Sequence, residues 1–116
     1  MKQPGQIVTF PFPQTDLMAG KPRPALLVTR TPGPFDDWLL CMVSSELQHA
    51  ISGFDELIVP GDSDFLQSGL RQPSLLRLAR LSVVSSRVLI GAIGTINPDR
   101  LVRVRQKIAE WIKSES

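Results

Sequence analysis

Arginine, serine and acidic side chains supply most of the groups in this sequence that could do chemistry. The chain has one histidine, no tyrosine and a single cysteine, Cys41, which lies in an apolar run and is expected in the core. A disulfide within the chain and a Cys/His zinc site are therefore excluded. The sequence also has no G-x-x-x-x-G-K-[ST], G-x-S-x-G or H-E-x-x-H motif. An enzyme of this sequence would work with guanidinium groups, hydroxyls and carboxylates.

Two segments place such groups next to predicted strands. Arg23 follows Gly20-Lys21-Pro22 and precedes Pro24, directly before an apolar run. The two prolines restrict the backbone on either side of this cation. A second apolar run ends in the hydroxyl pair Ser44-Ser45. Each feature taken singly is also explained by ordinary turn chemistry.

A third segment, S-L-L-R-L-A-R at residues 74–80, places arginines on a strand. Alternation predicts that Arg77 faces away from its apolar neighbours Leu76 and Leu78. Arg77 could bind an anion there, or could be an ordinary surface arginine.

Basic side chains concentrate in the second part of the chain. Residues 1–70 hold four basic and eight acidic side chains, a net charge of −4, whereas residues 71–116 hold nine and three, a net charge of +6. Most of the excess is arginine, which suits bidentate phosphate contacts. This pattern fits a nucleic-acid surface, but charge alone favours a solvated basic helix and strand edge.

Short apolar runs bounded by proline and glycine predict six strands within one domain, residues 1–116. The strands are expected at 7–10, 25–29, 38–43, 56–59, 74–78 with a continuation past a bend to 84, and 88–95. A polar loop is expected at 14–22 and a helical turn at 63–67, stopped by Gly69. Gly91 and Gly94 suit a bulge in a curved strand.

A C-terminal helix is predicted from Asn97 as N-cap and Pro98 at the first helical position. Its apolar face is expected to hold Leu101, Val104, Ile108, Trp111 and Ile112, and its solvent face Arg100, Arg103, Lys107 and Glu110. Strands followed by a helix indicate an α+β domain, a curled antiparallel sheet closed by helices.

Taken in order, these segments resemble the PemK/MazF toxin family over nearly the whole chain. The matching residues are P-G-Q-I-V-T-F at 4–10, R-P-A-L-L-V at 23–28, V-S-S at 43–45, G-L-R-Q-P-S-L-L-R at 69–77 and I-G-A-I-G-T-I at 90–96. The resemblance implies a small SH3-like antiparallel β-barrel with a short helical insert and a C-terminal helix. It also implies a metal-independent endoribonuclease, without cofactor, that leaves a 2′,3′-cyclic phosphate and a 5′-hydroxyl on single-stranded RNA.

The resemblance assigns catalytic roles to Arg23, Ser44 and Arg77. Arg23 falls on the family's catalytic arginine, Ser44 on the first residue of its strand-end hydroxyl pair, and Arg77 on the arginine of its S-x-x-R element. Ser44 replaces a threonine found in many members and keeps the hydroxyl. Ala79 stands where some members carry an aspartate proposed as general base, which leaves the proton acceptor unassigned.

Further RNA contacts are expected from polar side chains near these three positions. They are Asp16, Lys21, Ser45, His49 and Arg80. Asp16 could also replace the missing carboxylate, or be an ordinary turn aspartate. Phe12 and Phe54 are either base-stacking platforms or core aromatics.

The resemblance implies a homodimer and a cognate antitoxin with an acidic disordered tail that folds on binding. The sequence shows no signal peptide and no apolar run of the ~20 residues that a membrane span needs, which predicts a cytoplasmic protein. Two other functions stay open. One is a gyrase poison of the CcdB kind with the same fold, and the other is a non-catalytic SH3-like binding module or decayed toxin.

Overall fold

The computed structural model describes residues 2–11 and 22–114. Within these residues the chain forms six β-strands and two α-helices. They are β1 (Gln6–Phe10), β2 (Arg23–Arg30), β3 (Asp37–Ser44), β4 (Glu56–Ile58), α1 (Phe65–Ser68), β5 (Ser74–Ser85), β6 (Gly91–Thr95) and α2 (Pro98–Lys113). Short 3-10 turns span Leu47–His49 and Ser86–Val88. None of the helices in this part of the chain is long and apolar enough to cross a membrane.

The strands pair antiparallel in the order β4-β5-β3-β2-β1-β6. Strand β2 lies between β1 and β3, and its segment Ala25–Val28 is fully buried. A strand covered on both faces needs apolar residues at successive positions rather than at alternate ones. The unbroken apolar run of β2 thus correctly predicted its central place.

Buried apolar side chains lie on both faces of the sheet. Each strand contributes to both faces, because successive side chains on a strand point to opposite sides. One face packs against Val104 and Ile108 of α2. Its strand residues include Ile7, Leu26, Val28, Cys41, Val43, Leu76 and Leu78. The opposite face forms a second cluster of Val8, Phe10, Ala25, Leu27, Trp38, Leu40 and Leu89. The cleft described below lies at the ends of β2 and β3, and its lining includes Val43 of the first cluster.

Strand β5 bends at the position predicted from the sequence. Cys41 pairs with Leu81, whereas Met42 pairs with Arg77, so residues 78–80 bulge out of the β3–β5 ladder. The carboxylate of Asp55 accepts a hydrogen bond from the Leu78 N–H at 3.0 Å. This bond satisfies a backbone donor that the bulge would otherwise leave unpaired.

Helix α1 links the two edges of the curled sheet. It follows β4 in the chain and packs its C-terminal end on β6, at the far edge. A Cβ at Gly94 would collide with the backbone of Gln67 and Ser68, so only glycine permits this approach. The β1–β6 register shifts beside Gly94, which confirms the predicted bulge. The result is a curled half-barrel with a C-terminal helix, confirming the predicted α+β class.

Helix α2 begins at Pro98 with Asn97 as N-cap, as predicted. The expectation of solvent exposure for Arg100 is wrong, because its side chain is buried against carboxylates of the β4–α1 segment. The predicted apolar face is also only partly buried. Ile112 borders an open groove of about 380 Å³ between α2 and strands β2 and β3. Trp111 is 45% exposed and packs edge-to-face on Phe54, with ring centroids 5.8 Å apart.

Candidate active site

Arg23, Ser44 and Arg77 lie on one face of the sheet. Ala25 of β2 pairs with Met42 of β3, which pairs in turn with Arg77 of β5. Residues directly opposite on neighbouring strands share a face, as do residues two apart on one strand. Arg23 precedes Ala25 by two positions and Ser44 follows Met42 by two, so all three candidates share that face.

A cleft of about 790 Å³ opens where β2 begins and β3 ends. Arg23, Ser44 and Ser45 line it from these strand ends, while residues 69–72 and Ile93 line it from the α1–β5 connection and β6. We refer to this feature as the Arg23–Ser44 cleft. The fold thus joins two sequence segments that the resemblance singled out.

Backbone contacts orient the hydroxyl of Ser44. Its Oγ accepts a hydrogen bond from the Glu46 N–H at 3.0 Å. The turn continues with a bond from the Leu47 N–H to the Ser45 carbonyl at 3.1 Å. Because Oγ is used here as an acceptor, the hydroxyl hydrogen stays available to donate to a ligand oxygen in the cleft.

Two guanidinium groups give the Arg23–Ser44 cleft its charge. Arg23 and Arg71 both line it, and neither side chain has a hydrogen bond or ion pair with another described residue. No aspartate or glutamate occurs among the described residues that line the cleft. Unpaired arginines without nearby carboxylates favour the binding of an anion, and the planar guanidinium suits a phosphate.

Arg77 lies beside the cleft rather than among its described lining residues. Ser44 pairs with Leu75, and Arg77 follows two positions along β5, roughly 7 Å away. Its side chain is half-buried and has no partner among the described residues. The long guanidinium side chain can therefore serve a ligand that extends out of the cleft along this face.

The other predicted RNA contacts divide into three groups. Ser45 lines the cleft. Arg80, in the β5 bulge, and His49, in the 3-10 turn after β3, are exposed and lie outside the described cleft lining. Asp16 and Lys21 lie outside the described residues, as do Phe12 and most of the predicted 14–22 loop.

The structure adds cleft residues that sequence reasoning missed. Arg71 and Gln72 line the Arg23–Ser44 cleft, although within the matching segment 69–77 the family resemblance gave a role only to Arg77. In the described part of the chain no three His, Cys, Asp or Glu side chains gather as they would to hold a metal ion.

Several acidic side chains gather away from the cleft, around Arg100. Its Nε donates to Asp64 Oδ2 at 2.8 Å and one terminal nitrogen donates to Asp64 Oδ1 at 3.1 Å. The other terminal nitrogen donates to Glu56 at 3.2 Å and to the Leu57 carbonyl at 2.7 Å. Asp62 adds a third carboxylate at 3.1 Å. This cluster joins α2 to the β4–α1 segment.

Two buried carboxylates of this cluster, Asp64 and Glu56, stay ionised in spite of their burial. Burial raises the pKa of Asp64, but hydrogen bonds from Arg100 and the Asn97 N–H outweigh it, so the pKa lies below its ordinary value. Burial likewise raises the pKa of Glu56, and hydrogen bonds from Lys107 and Arg103 more than reverse this. Nearby charges hold these groups in place, which indicates a structural role.

Cys41 is not a nucleophile of this site. Its side chain is fully buried on the α2 side of the sheet, and burial raises the pKa of the thiol to about 12. A protonated, inaccessible thiol is unreactive. The expectation that Cys41 belongs to the core is confirmed.

Residues 3–112 match the PemK-like, MazF-like toxins of type II toxin–antitoxin systems, and the chain belongs to this family. The predicted family resemblance is therefore confirmed, and with it a toxin of the type II class.

The fold is similar to that of a solved Mycobacterium tuberculosis toxin, MazF-mt6. The TM-score is 0.65 at 17% sequence identity, and the match covers 96% of this chain and 99% of that chain. At this identity the likeness concerns the fold. No curated relative matches the sequence directly.

Proposed function

We propose that this chain is a metal-independent endoribonuclease that cleaves single-stranded RNA. The observation that carries the proposal is the Arg23–Ser44 cleft itself. An unpaired guanidinium and a hydroxyl with a free hydrogen share it, and no described lining residue is acidic. These groups suit a phosphodiester, and the toxin family supports RNA as the molecule that carries it.

The reaction we propose is attack of a ribose 2′-hydroxyl on the adjacent phosphorus. The new O–P bond forms as the bond to the 5′-oxygen breaks, and the products are a 2′,3′-cyclic phosphate and a 5′-hydroxyl. The attacking hydroxyl loses a proton and the leaving oxygen gains one. Neither water nor a metal ion enters the atom balance of this step.

Arg23 would stabilise the negative charge that develops on the phosphorane oxygens. Fixed donors aimed at such charge are the strongest single contribution that a site of this kind can make. Ser44 would donate its hydroxyl hydrogen to a non-bridging oxygen. Arg77 lies beside the cleft and would contact the RNA strand where the strand extends out of the cleft.

The reaction also needs a group that accepts the proton of the 2′-hydroxyl. Arginine is a poor proton acceptor in general. Ala79, at the family's aspartate position, is exposed in the β5 bulge and carries no titratable group. The carboxylate of Asp55 is engaged with the Leu78 and Ile51 N–H groups, at 3.0 and 2.8 Å. Asp16 is the carboxylate that the sequence places shortly before Arg23. We therefore propose it as the first residue to substitute in a test for the proton acceptor.

A toxin of the type II class has a cognate antitoxin. We propose that the partner has an acidic disordered segment that folds on the Arg23–Ser44 cleft. Its carboxylates would pair with Arg23 and Arg71 there. We also propose that the toxin acts in the cytoplasm as a two-fold symmetric homodimer.

The test is digestion of single-stranded RNA in EDTA, with both product ends mapped. We expect cyclic phosphate and 5′-hydroxyl ends. Arg23→Ala should lower the rate by ~10²–10³, and Arg77→Ala should lower it by less. Arg87→Ala is the matched control, because Arg87 is exposed and lies outside the described cleft lining.

Intact RNA with inhibited DNA supercoiling would instead identify a gyrase poison. Equal activity of the Arg23→Ala variant and the unsubstituted protein would remove Arg23 from the mechanism. If the folded protein neither cleaves RNA nor inhibits supercoiling, the result favours a non-catalytic binding module or a decayed toxin.

A further inference from the structure

The connection between α1 and β5, residues 69–74, is held rigidly where it borders the Arg23–Ser44 cleft. Ser68 is fully buried, and its Oγ donates to the Phe65 carbonyl at 2.6 Å and accepts from the Leu70 N–H at 3.2 Å. At the other end Ser74 is 3% exposed and donates to the Gln72 carbonyl at 2.8 Å. Buried hydroxyls thus fix the backbone on both sides of Arg71.

Two further features restrict this segment. Gly69 ends α1 with a φ of 76°, and a Cβ there would collide with the carbonyl of Ile93. Pro73 fixes its own φ and keeps the preceding residue extended. Because the backbone on both sides is held, the segment is expected to present Arg71 to a ligand with little cost for ordering the backbone.

Arg71 and Arg23 reach the same cleft from different parts of the fold. Arg23 comes from the start of β2, whereas Arg71 comes from the connection that follows α1. Arg71 is exposed, and no described residue pairs with its guanidinium. Two unpaired cations around one cleft repel each other, and an anion bound between or beside them offsets this repulsion.

The cleft is large enough for more than a single phosphate group. Its volume of about 790 Å³ lies within the range of roughly 300–1,000 Å³ that holds a drug-sized ligand. A single-stranded nucleic acid carries a phosphate at every nucleotide. A site that holds one phosphate at Arg23 therefore brings the next one close to any further cation on the cleft wall.

We propose that Arg71 binds a second phosphate of the substrate, adjacent to the phosphate held by Arg23. This inference rests on the proposed function. Arg71 is a positioning residue here, because it holds the strand in register while the reaction occurs at the neighbouring phosphate. The arginine of the 69–74 segment is thus part of the binding site for RNA, in addition to the residues that the family resemblance indicates.

The test measures how binding depends on salt. An RNA oligonucleotide with 2′-O-methyl groups has no free 2′-hydroxyl and should bind without being cleaved. Each phosphate contact in a single strand contributes about 0.7 to the slope of log affinity against log salt. Arg71→Gln should lower the magnitude of this slope by about 0.7, and Arg71→Lys should restore most of it, since lysine keeps the charge.

Cleavage of unmodified RNA gives a second readout. Arg71→Gln should raise KM roughly tenfold, the loss expected for one charge-assisted hydrogen bond, with kcat changed far less. Arg87→Gln, an exposed arginine outside the described cleft lining, should keep the slope and KM of the unsubstituted protein. A thermal melt of each variant checks that folding is intact.

The outcomes separate this inference from the proposed function. If the unsubstituted protein cleaves RNA and Arg71→Gln keeps its salt slope and KM, Arg71 contacts no phosphate and the inference is overturned. If Arg71→Gln loses kcat but keeps the slope, Arg71 acts on the reacting group instead, which also overturns it. If the unsubstituted protein binds no RNA at all, both proposals fall.

Discussion

Arg100 and Asp64 form a two-point ion pair that joins the first turn of α2 to the residue before α1, with N···O distances of 2.8 and 3.1 Å. Both side chains are almost fully buried. Asp64 Oδ2 also accepts the Asn97 N–H at 3.1 Å, so the aspartate caps α2 from 33 residues away. The start of the C-terminal helix is therefore held by a tertiary contact.

Asp64→Asn should destabilise the fold by about 3 kcal/mol. Removing one partner of a buried pair leaves an incompletely compensated charge and typically costs about 3–5 kcal/mol. The lower end applies because Glu56 and Asp62 still contact Arg100. Urea unfolding followed by tryptophan fluorescence measures the change. The control is Asp99→Asn, whose ion pair with Arg103 is exposed and should contribute less than about 1 kcal/mol. Equal losses in the two variants would contradict a structural role for the buried pair.

Stability should fall at acid pH because of the same cluster. The pKa values of Asp64 and Glu56 are lowered in the folded state, while the unfolded chain has ordinary values of about 3.9 and 4.3. The unfolded state therefore takes up protons first, and the stabilisation present above about pH 4–5 is lost as the pH falls towards the folded pKa values. Unfolding free energies at a series of pH values should decline below about pH 4, and less steeply in Asp64→Asn. An identical acid dependence in that variant would assign the effect to other carboxylates.

Gly94→Ala should disrupt the packing of α1 on β6. A methyl group there would collide with backbone atoms of Gln67 and Ser68, which cannot move as a flexible side chain can. Because residues 69–74 follow α1, the variant should lose both stability and RNA cleavage. Gly91→Ala, on the same strand, is the matched control, since its methyl group would meet nothing within 4 Å. Thermal melts and cleavage rates of the two variants check this, and a Gly94→Ala protein as stable as Gly91→Ala would refute it.

The hydroxyl of Ser44 should matter more than the rest of its side chain. Ser44→Ala removes one donor from the cleft and is expected to lower the rate of RNA cleavage by ~10²–10³, with only a small loss of stability from the exposed hydrogen bond of the Glu46 N–H. Ser44→Thr keeps the hydroxyl at the end of a strand that tolerates β-branched residues, so it should retain most of the activity. Initial rates on one RNA substrate, with thermal melts as the control, provide the comparison. Similar rates for the alanine and threonine variants would exclude a role for the hydroxyl.

Cys41 should resist alkylation in the folded protein. Its thiol is inaccessible, and burial raises the pKa to about 12, so very little thiolate forms at pH 8. Iodoacetamide should therefore leave the native protein unmodified and label it fully in urea, as mass spectrometry would record. Rapid labelling under native conditions would show that the sheet opens around β3.

Much of the fold could be predicted from patterns that act locally along the chain. The buried run of β2, the bend in β5 and the start of α2 at Pro98 each follow from neighbouring residues whose periodicity or backbone restriction is visible in the sequence. Gly69 likewise ends α1 in a left-handed conformation, as expected of a helix-stopping glycine. The ordered motifs of the toxin family predicted that Arg23 and Ser44 share a site, and both line the same cleft.

Contacts between distant segments could not be predicted in this way. Helical spacing places Arg100 with the solvent-facing cations, yet carboxylates about 40 residues earlier in the chain surround it in the folded protein. Arg71 is one arginine among many in the sequence, and it becomes a cleft residue only because α1 rests on Gly94 and directs the following segment towards Arg23. Sequence periodicity indicates on which face of a helix or strand a side chain lies. Which other element that face meets depends on the closure of the sheet, and only the tertiary structure decides it.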